Sequence, residues 1–205
     1  LNGALYGHKP PLLFWLVNLV WALGGVRDFP ARLIGPGFAT VSVALTGLLA
    51  RRLWPEDPGR AGAAALILAV SPVWLLFGSA TMFDAMLACA VLLAMLALWS
   101  AARRPRPLAW ATLGGAVALG VYAKGPVILV HVLPPALTLP LWAGADRPPA
   151  RIWLRGLLLA LLVALVLVGL LGSDVRSVLS LPMLVAGLSG LGTGALLIAG
   201  VALLD

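Results

Sequence analysis

The feature that most constrains this chain is a succession of long apolar segments separated by short clusters that carry arginine. Hydrophobic residues make up 62% of the sequence and charged residues only 10%, whereas soluble domains average about a quarter charged residues. Several of these segments approach or exceed the roughly 20 apolar residues that cross a bilayer as a helix. They do not alternate as the strands of an outer-membrane barrel do. The sequence therefore predicts an all-α, polytopic transmembrane helical bundle.

The spacing of the apolar segments predicts about seven spans plus one short interfacial helix. At 1.5 Å per residue, residues 12–24 are too short to cross a core of roughly 30 Å. Ser71-Pro72 predicts a kink in the second span, and Pro134-Pro135 predicts a break in the fifth. The predicted spans are residues 31–54, 61–80, 84–102, 108–123, 127–143, 152–171 and 178–204.

The basic residues are distributed unequally between the two ends of these spans. One end carries nine of them: Arg51, Arg52, Arg60, Arg103, Arg104, Arg106, Arg147, Arg151 and Arg155. The other end carries five: Lys9, Arg27, Arg32, Lys124 and Arg176. The positive-inside rule makes the first end cytoplasmic. This assignment also places Lys9, Asp84 and Lys124 on one outer face, although the spans were assigned without reference to them.

The two lysines of the chain stand at turns beside prolines. A lysine held at an interface is a compact cation that suits a phosphate oxygen. Lys9 precedes two prolines that stiffen the backbone, and its alternative role is that of a lysine whose side chain extends to the interface at a helix start. Lys124 precedes Gly125-Pro126 and is a phosphate ligand, an ion-pair partner of Asp84 or a simple loop lysine.

Asp84 opens the third predicted span, where a carboxylate at membrane depth indicates a functional site. It could act as a general base, a metal ligand or an ion-pair partner of a lysine. Aspartate is also a favoured helix N-cap.

Other residue types give weaker indications. His131 is interpreted as a hydrogen-bonded packing residue, and Cys89 as a small apolar one. The sequence has no zinc-binding spacing, no Gly-x-Ser-x-Gly and no phosphate-binding loop. Although the net charge is +7, the arginines separate apolar spans, so we expect membrane lipids and no nucleic acid as partners. The chain begins at Leu1 without a visible signal peptide, and we expect an N-terminally truncated fragment.

A series of short motifs resembles the membrane glycosyltransferases of family 39, which have the GT-C fold and include bacterial aminoarabinose transferases and protein O-mannosyltransferases. The similarity covers roughly residues 6 to 145. The motifs, in order, are His8-Lys9-Pro10-Pro11-Leu12 with Phe14-Trp15, Ala31-Arg32-Leu33, Leu49-Ala50-Arg51-Arg52-Leu53, Ser71-Pro72, Asp84 and Ala123-Lys124-Gly125-Pro126.

The resemblance implies transfer of a sugar from a polyprenyl-phosphate carrier to a lipid or protein acceptor, on the outer side of a bacterial inner membrane. It implies that Asp84 is catalytic, and that Lys9 contacts the carrier phosphate. Lys124 matches the family's Thr-Lys-Gly-Pro lysine, although position 123 is alanine here. We place His8 and Arg32 in the substrate-binding set beside these lysines. No cofactor is certain, and the resemblance leaves a divalent metal open.

The resemblance also predicts how the chain is divided. Residues 1–172 form a partial glycosyltransferase transmembrane domain, and residues 173–205 form an additional Gly-rich transmembrane helix. The outer loop that carries the family's catalytic acid before the Lys-Pro-Pro motif is absent from this sequence. Two alternatives therefore stand beside the enzyme: a membrane transporter or lipid-binding module, and an inactive fragment without the catalytic loop.

Overall fold

The computed structural model describes residues 10–144 and 147–171, which form α-helices and no strand. The helices are α1 (Leu12–Gly24), α2 (Asp28–Arg32), α3 (Ile34–Leu53), α4 (Pro58–Val70), α5 (Pro72–Ser79), α6 (Phe83–Arg103), α7 (Pro107–Lys124), α8 (Val127–Leu137), α9 (Leu139–Trp142) and α10 (Ala150–Leu171). The all-α prediction is confirmed for this part of the chain. The predicted span 178–204, and residues His8 and Lys9, lie outside the described residues.

Three helices in the described part of the chain are long and apolar enough to cross a membrane: α2 with α3 (Asp28–Leu53), α6, and α10. These helices match the predicted spans 31–54, 84–102 and 152–171. The chain is therefore an integral membrane protein. The number rises to four if α4 and α5 form one span. Six of the seven predicted spans fall in the described part of the chain, which supports three or four of them.

The second predicted span is bent more sharply than a kinked helix. The axes of α4 and α5 differ by 65°, and Ser71 between them has an extended backbone. Pro72 lacks the N–H that would continue the ladder, and it drives the preceding residue out of the helical region. The kink predicted at Ser71-Pro72 is therefore a complete break between two helices.

The fifth predicted span breaks one turn later than expected. Pro134 and Pro135 lie inside α8, which continues to Leu137. The break comes at Thr138, whose N–H and hydroxyl both donate to the Pro134 carbonyl, at 3.0 and 2.7 Å. The prediction that the prolines themselves interrupt the helix was wrong, because a proline disturbs the turn before it and leaves its own carbonyl free to accept.

Helix α7 is the centre of the bundle and packs between α6 and α10. Its partners on α10 keep a constant offset of 46 residues: Gly114 faces Ala160, and the Tyr122 hydroxyl donates to the Val168 carbonyl at 2.9 Å. A constant positive offset means that α7 and α10 run parallel. Because a short link joins α6 to α7, these two run antiparallel.

Glycine permits the close approach of α7 to α10. A Cβ at Gly114 would clash with the backbone carbonyl of Ala160 and stand 2.9 Å from the Cβ of Val163. On the other side of the interface, Gly156 lies against the indole ring of the buried Trp110. Small residues at such contacts let helix backbones approach closely, which favours association of helices in lipid.

We predict that Gly114→Val destabilises the bundle and that Gly115→Val does not. The two residues are neighbours in α7, but a Cβ at Gly115 would meet nothing within 4 Å. The change in helix propensity from glycine to valine is the same at both positions. At Gly114 the added overpacking lowers the free energy of unfolding by about 1–3 kcal/mol. Unfolding of the full chain in detergent, followed by circular dichroism, measures the difference. Equal stability of the two variants would contradict the α7–α10 contact.

Candidate functional site

The first turn of α6 and the last turn of α7 lie together at one end of the bundle. Asp84 is in the first turn of α6, and Lys124 is the last residue of α7. Gly125, with a φ of 74°, ends α7 in a conformation that glycine adopts without strain. The carboxylate at a helix N-terminus and the ammonium at a helix C-terminus each complement the local helix dipole.

Asp84 and Lys124 form an ion pair, in which the lysine ammonium donates to the Oδ1 atom of the carboxylate. The ion-pair interpretation of Lys124 is thus confirmed. Lys124 is the final residue of a helix, so its interpretation as a loop lysine was wrong. Met82 occupies the N-cap of α6 without a side-chain cap, so the N-cap interpretation of Asp84 was wrong.

The pair is accessible to a ligand. The Lys124 side chain is 39% exposed and that of Asp84 is 45% exposed. An ammonium group has three donors and a carboxylate has two acceptor oxygens. After the ion pair forms, the lysine retains donors for an anion and the aspartate retains an acceptor oxygen.

Helix α1 brings the start of the described chain to the same end. Buried Leu13 packs with Met86 of α6 and Ala123 of α7, and the rings of Trp15 and Tyr122 lie 5.2 Å apart. Pro10, the first described residue, is buried. The chain therefore enters the structure beside the Asp84–Lys124 pair, whereas the predicted ligands His8 and Lys9 fall outside the described residues.

Arg32 lies at this end of the bundle but does not join the ion pair. Its carbonyl accepts a hydrogen bond of 3.3 Å from the hydroxyl of Thr81, three residues before Asp84. Its side chain is exposed, and within the described residues it forms no ion pair. The structure thus brings the backbone of Arg32, and not its guanidinium, to the start of α6.

An apolar pocket of about 430 Å³ opens beside the pair, with Asp84 and His131 among its lining residues. Trp74 of α5 forms part of its wall, and most of its other lining residues are apolar. His131 is exposed, and its Nδ1 lies 3.2 Å from the Val127 carbonyl. Because a carbonyl only accepts, Nδ1 carries the hydrogen and Nε2 is left for another partner.

The hydrogen bond predicted for His131 is therefore present, but its interpretation as a packing residue was wrong, because its side chain is exposed and lines the pocket. A sequence signal for the location of His131 near the site is that it lies seven residues after Lys124, in the half of the fifth predicted span that is nearer to Lys124. The contribution of Trp74 to the pocket had no such signal, because it depends on the break before Pro72.

The described residues contain no group of three or more His, Cys, Asp or Glu side chains that could hold a metal ion. Asp84 and His131, which line the same pocket, supply two groups of suitable type. The divalent metal that the resemblance leaves open is thus without a ligand cluster in this part of the chain.

The chain is similar to several bacterial proteins named undecaprenyl phosphate-alpha-4-amino-4-deoxy-L-arabinose arabinosyl transferase. The protein of this name from Pseudomonas paraeruginosa is 34% identical over 169 residues, covering 80% of this chain and 30% of the relative. In Pseudomonas fluorescens, transferase 1 is 32% identical with the same coverage. Transferase 2 from the same species is 35% identical over 144 residues, covering 67% of this chain and 24% of the relative.

The chain spans about 30% of the length of the first of these curated relatives. No solved structure gives a significant match to it. The family described as dolichyl-phosphate-mannose-protein mannosyltransferase matches residues 8–171, which include all ten helices. Since this match covers well over half of the sequence, the chain belongs to the dolichyl-phosphate-mannose-protein mannosyltransferase family.

Proposed function

We propose that this protein transfers a sugar from a polyprenyl-phosphate carrier to a lipid or protein acceptor, on the non-cytoplasmic side of a bacterial inner membrane. The observation that carries the proposal is the accessible Asp84–Lys124 pair beside an apolar pocket. Family membership and the names of the relatives, which specify an undecaprenyl-phosphate-linked aminoarabinose donor, support it.

The lysines stabilise the leaving group. When the bond between the sugar and the carrier phosphate breaks, negative charge develops on the phosphate oxygens. A fixed ammonium in a site of low dielectric is most effective where that charge develops. Lys124 has donors to spare after pairing with Asp84, and we assign Lys9, one residue before the buried Pro10, as the second cation. His8 and Arg32 complete the proposed binding set.

Asp84 assists the acceptor. A carboxylate that retains an acceptor oxygen orients an attacking hydroxyl or takes its proton as the new bond forms. The ion pair with Lys124 holds the carboxylate in place between the two helix ends. The pocket of about 430 Å³ offers hydrocarbon walls next to these charges, which suits a phosphate or hydroxyl carried on a lipid chain.

We further propose the GT-C fold with seven spans, of which residues 178–204 are the last. The end of the bundle opposite Asp84 holds the ends of α3 and α6, with Arg52 and Arg103 in their last turns. This enrichment in arginine supports a cytoplasmic location for that end and an outward-facing Asp84–Lys124 pair.

One observation favours a transporter or lipid-binding module as the second candidate. The 65° break between α4 and α5 resembles the discontinuous helices that bind substrates in transporters. A transporter moves its substrate across vesicles without covalent change, whereas a transferase moves the sugar label to an acceptor. An inactive fragment shows neither transport nor transfer. The full-length protein that contains the same segment shows one of these activities.

We predict that Lys9→Ala in the full-length protein lowers transfer from a radiolabelled undecaprenyl-phosphate-linked aminoarabinose, because the leaving phosphate loses a cation. Loss of one such charge stabiliser costs on the order of 10²-fold in rate. Label transferred to membrane acceptors is counted in proteoliposomes. Arg27→Ala is the control, since Arg27 is a basic residue of the same predicted end outside the proposed set. Unchanged transfer by Lys9→Ala would contradict the proposal.

We predict that exchanging the pair, as Asp84→Lys with Lys124→Asp, does not restore transfer and recovers only part of the thermal stability that the single substitutions remove, because each exchanged charge opposes the dipole of its helix. Each single substitution leaves one charge unpaired in the bundle, and the exchange re-forms the pair with its chemistry reversed. Asp84→Asn alone is expected to slow transfer about 10²-fold, as removal of a general base does. Unfolding temperature and label transfer are measured on the same preparations.

The surface pair Asp57–Arg60, at 2.9 Å, is the control for transfer in this experiment; Asp57 also caps α4, so this exchange is not compared in unfolding temperature. It lies in the turn before α4 and the first turn of that helix, away from Asp84. Its exchange leaves transfer unchanged. Full transfer by the Asp84–Lys124 exchange would show that the pair is structural and that the chemistry lies elsewhere.

A further inference from the structure

A second cavity lies at the opposite end of the bundle from Asp84 and plays no part in the proposed transfer. It is a groove of about 600 Å³ between α3, α6 and α7. Four arginines line it: Arg52, Arg103, Arg104 and Arg106. No acidic residue is among the described residues that form its wall. The described lining of the groove is therefore rich in basic side chains.

Two of these arginines are held by neighbouring side chains. A terminal guanidinium nitrogen of Arg52 donates to the hydroxyl of Ser100 at 2.9 Å, which ties the end of α3 to the end of α6. The guanidinium of Arg103 lies 4.5 Å from the centre of the Trp99 ring. Because a serine hydroxyl is neutral, its contact with Arg52 orients that guanidinium without cancelling its positive charge.

The wall away from the arginines is apolar. Leu45 and Leu48 of α3 line one side, and Leu93 and Leu96 of α6 line another. Leu48 is 40% exposed, so hydrocarbon side chains face the open groove. Arginines thus line one end of the groove, and a hydrocarbon surface extends from that end along the helices. This surface runs in the direction that a lipid chain takes in a bilayer.

We propose that this groove binds an anionic phospholipid of the leaflet at this end of the bundle. The arginines hold the headgroup phosphate, and one acyl chain lies along the leucines. Guanidinium groups bind phosphate oxygens through paired, charge-assisted hydrogen bonds. Basic pockets between transmembrane helices are sites of this kind for anionic headgroups. The proposal is independent of the transfer reaction.

The sequence supplies an internal comparison that separates a built site from general attraction between arginines and an anionic surface. Arg51 and Arg52 are adjacent in the last turn of α3 and both exposed. Arg52 lines the groove and Arg51 does not. A diffuse surface potential acts on the two alike, whereas a bound headgroup contacts only the groove residues.

The test uses the full chain in bilayer nanodiscs of phosphatidylcholine that contain a minor fraction of phosphatidylglycerol. Native mass spectrometry counts the phosphatidylglycerol molecules that stay bound when the nanodisc is removed. We expect Arg52→Gln, and the double variant Arg104→Gln with Arg106→Gln, to weaken retention. Each arginine lost near an anionic lipid reduces binding about fivefold. Arg51→Gln is expected to retain the lipid as the parent protein does.

A second variant tests the acyl chain. Thr112 is exposed and lines the groove from α7, and Thr112→Trp fills the groove while it keeps every arginine. We expect Thr112→Trp to reduce lipid retention to the level of the Arg52 variant. Circular dichroism and unfolding temperature confirm that each variant is folded.

Four results would overturn the proposal. Equal retention of phosphatidylglycerol and phosphatidylcholine by the parent protein would remove the anion specificity. An equal effect of Arg51→Gln and Arg52→Gln would show diffuse attraction only. Full retention by Thr112→Trp would show that no acyl chain occupies the groove, and release of the lipid by inorganic phosphate would indicate a site for a soluble anion.

Discussion

The close packing of α7 against its two neighbours is the interaction on which the rest of the structure depends. On α6, four buried alanines recur at spacings of four and three: Ala90, Ala94, Ala97 and Ala101. On α7, Gly114 and Gly120 leave room for α10 and α8. Lipid provides no hydrophobic force that drives helices together, so association rests on dispersion contacts between closely placed backbones. Small residues make that approach geometrically available.

This packing has a chemical consequence at the ends of the helices. Because α6 and α7 are antiparallel and in close contact, the first turn of one lies beside the last turn of the other. Asp84 and Lys124 meet for that reason, and each charge also suits the dipole of its own helix. At the far end, the packing of α3 against α6 places Arg52 beside Ser100, and the groove lies between α3, α6 and α7.

The two ends differ in what they can bind. A charge within hydrocarbon is costly, so charged residues collect at helix ends. At one end the ion pair of Asp84 and Lys124 lies beside an apolar pocket that Asp84 lines, an arrangement that suits a reaction on a phosphate-bearing lipid. At the other end several arginines line one groove, which suits the capture of an anionic headgroup. One bundle thus presents an ion pair beside a pocket at one end and an arginine-lined groove at the other.

Much of the helical arrangement is readable in the sequence. The segments 12–24 and 84–102 agree with α1 and α6 to within a residue, because an apolar run that begins and ends at Pro, Gly or charge has visible limits. The break at Thr138 was not predicted, since it depends on which carbonyl the Thr138 hydroxyl reaches. The exposure of His131 was not predicted either, because the side of α8 that packs inward depends on its neighbours.

By itself, the sequence determined that the chain is helical, which segments are apolar enough to enter a membrane, and which charges stand at their ends. These three properties follow from the free-energy cost of burying polar groups in hydrocarbon. That cost can be judged from the residues of each segment alone. Only the tertiary structure decided which helix ends are neighbours, and therefore that Asp84 pairs with Lys124 and that Arg52 joins a groove when Arg51 does not. Contacts between helices depend on the shapes of their facing surfaces, and hydropathy along the chain carries no record of which surfaces meet.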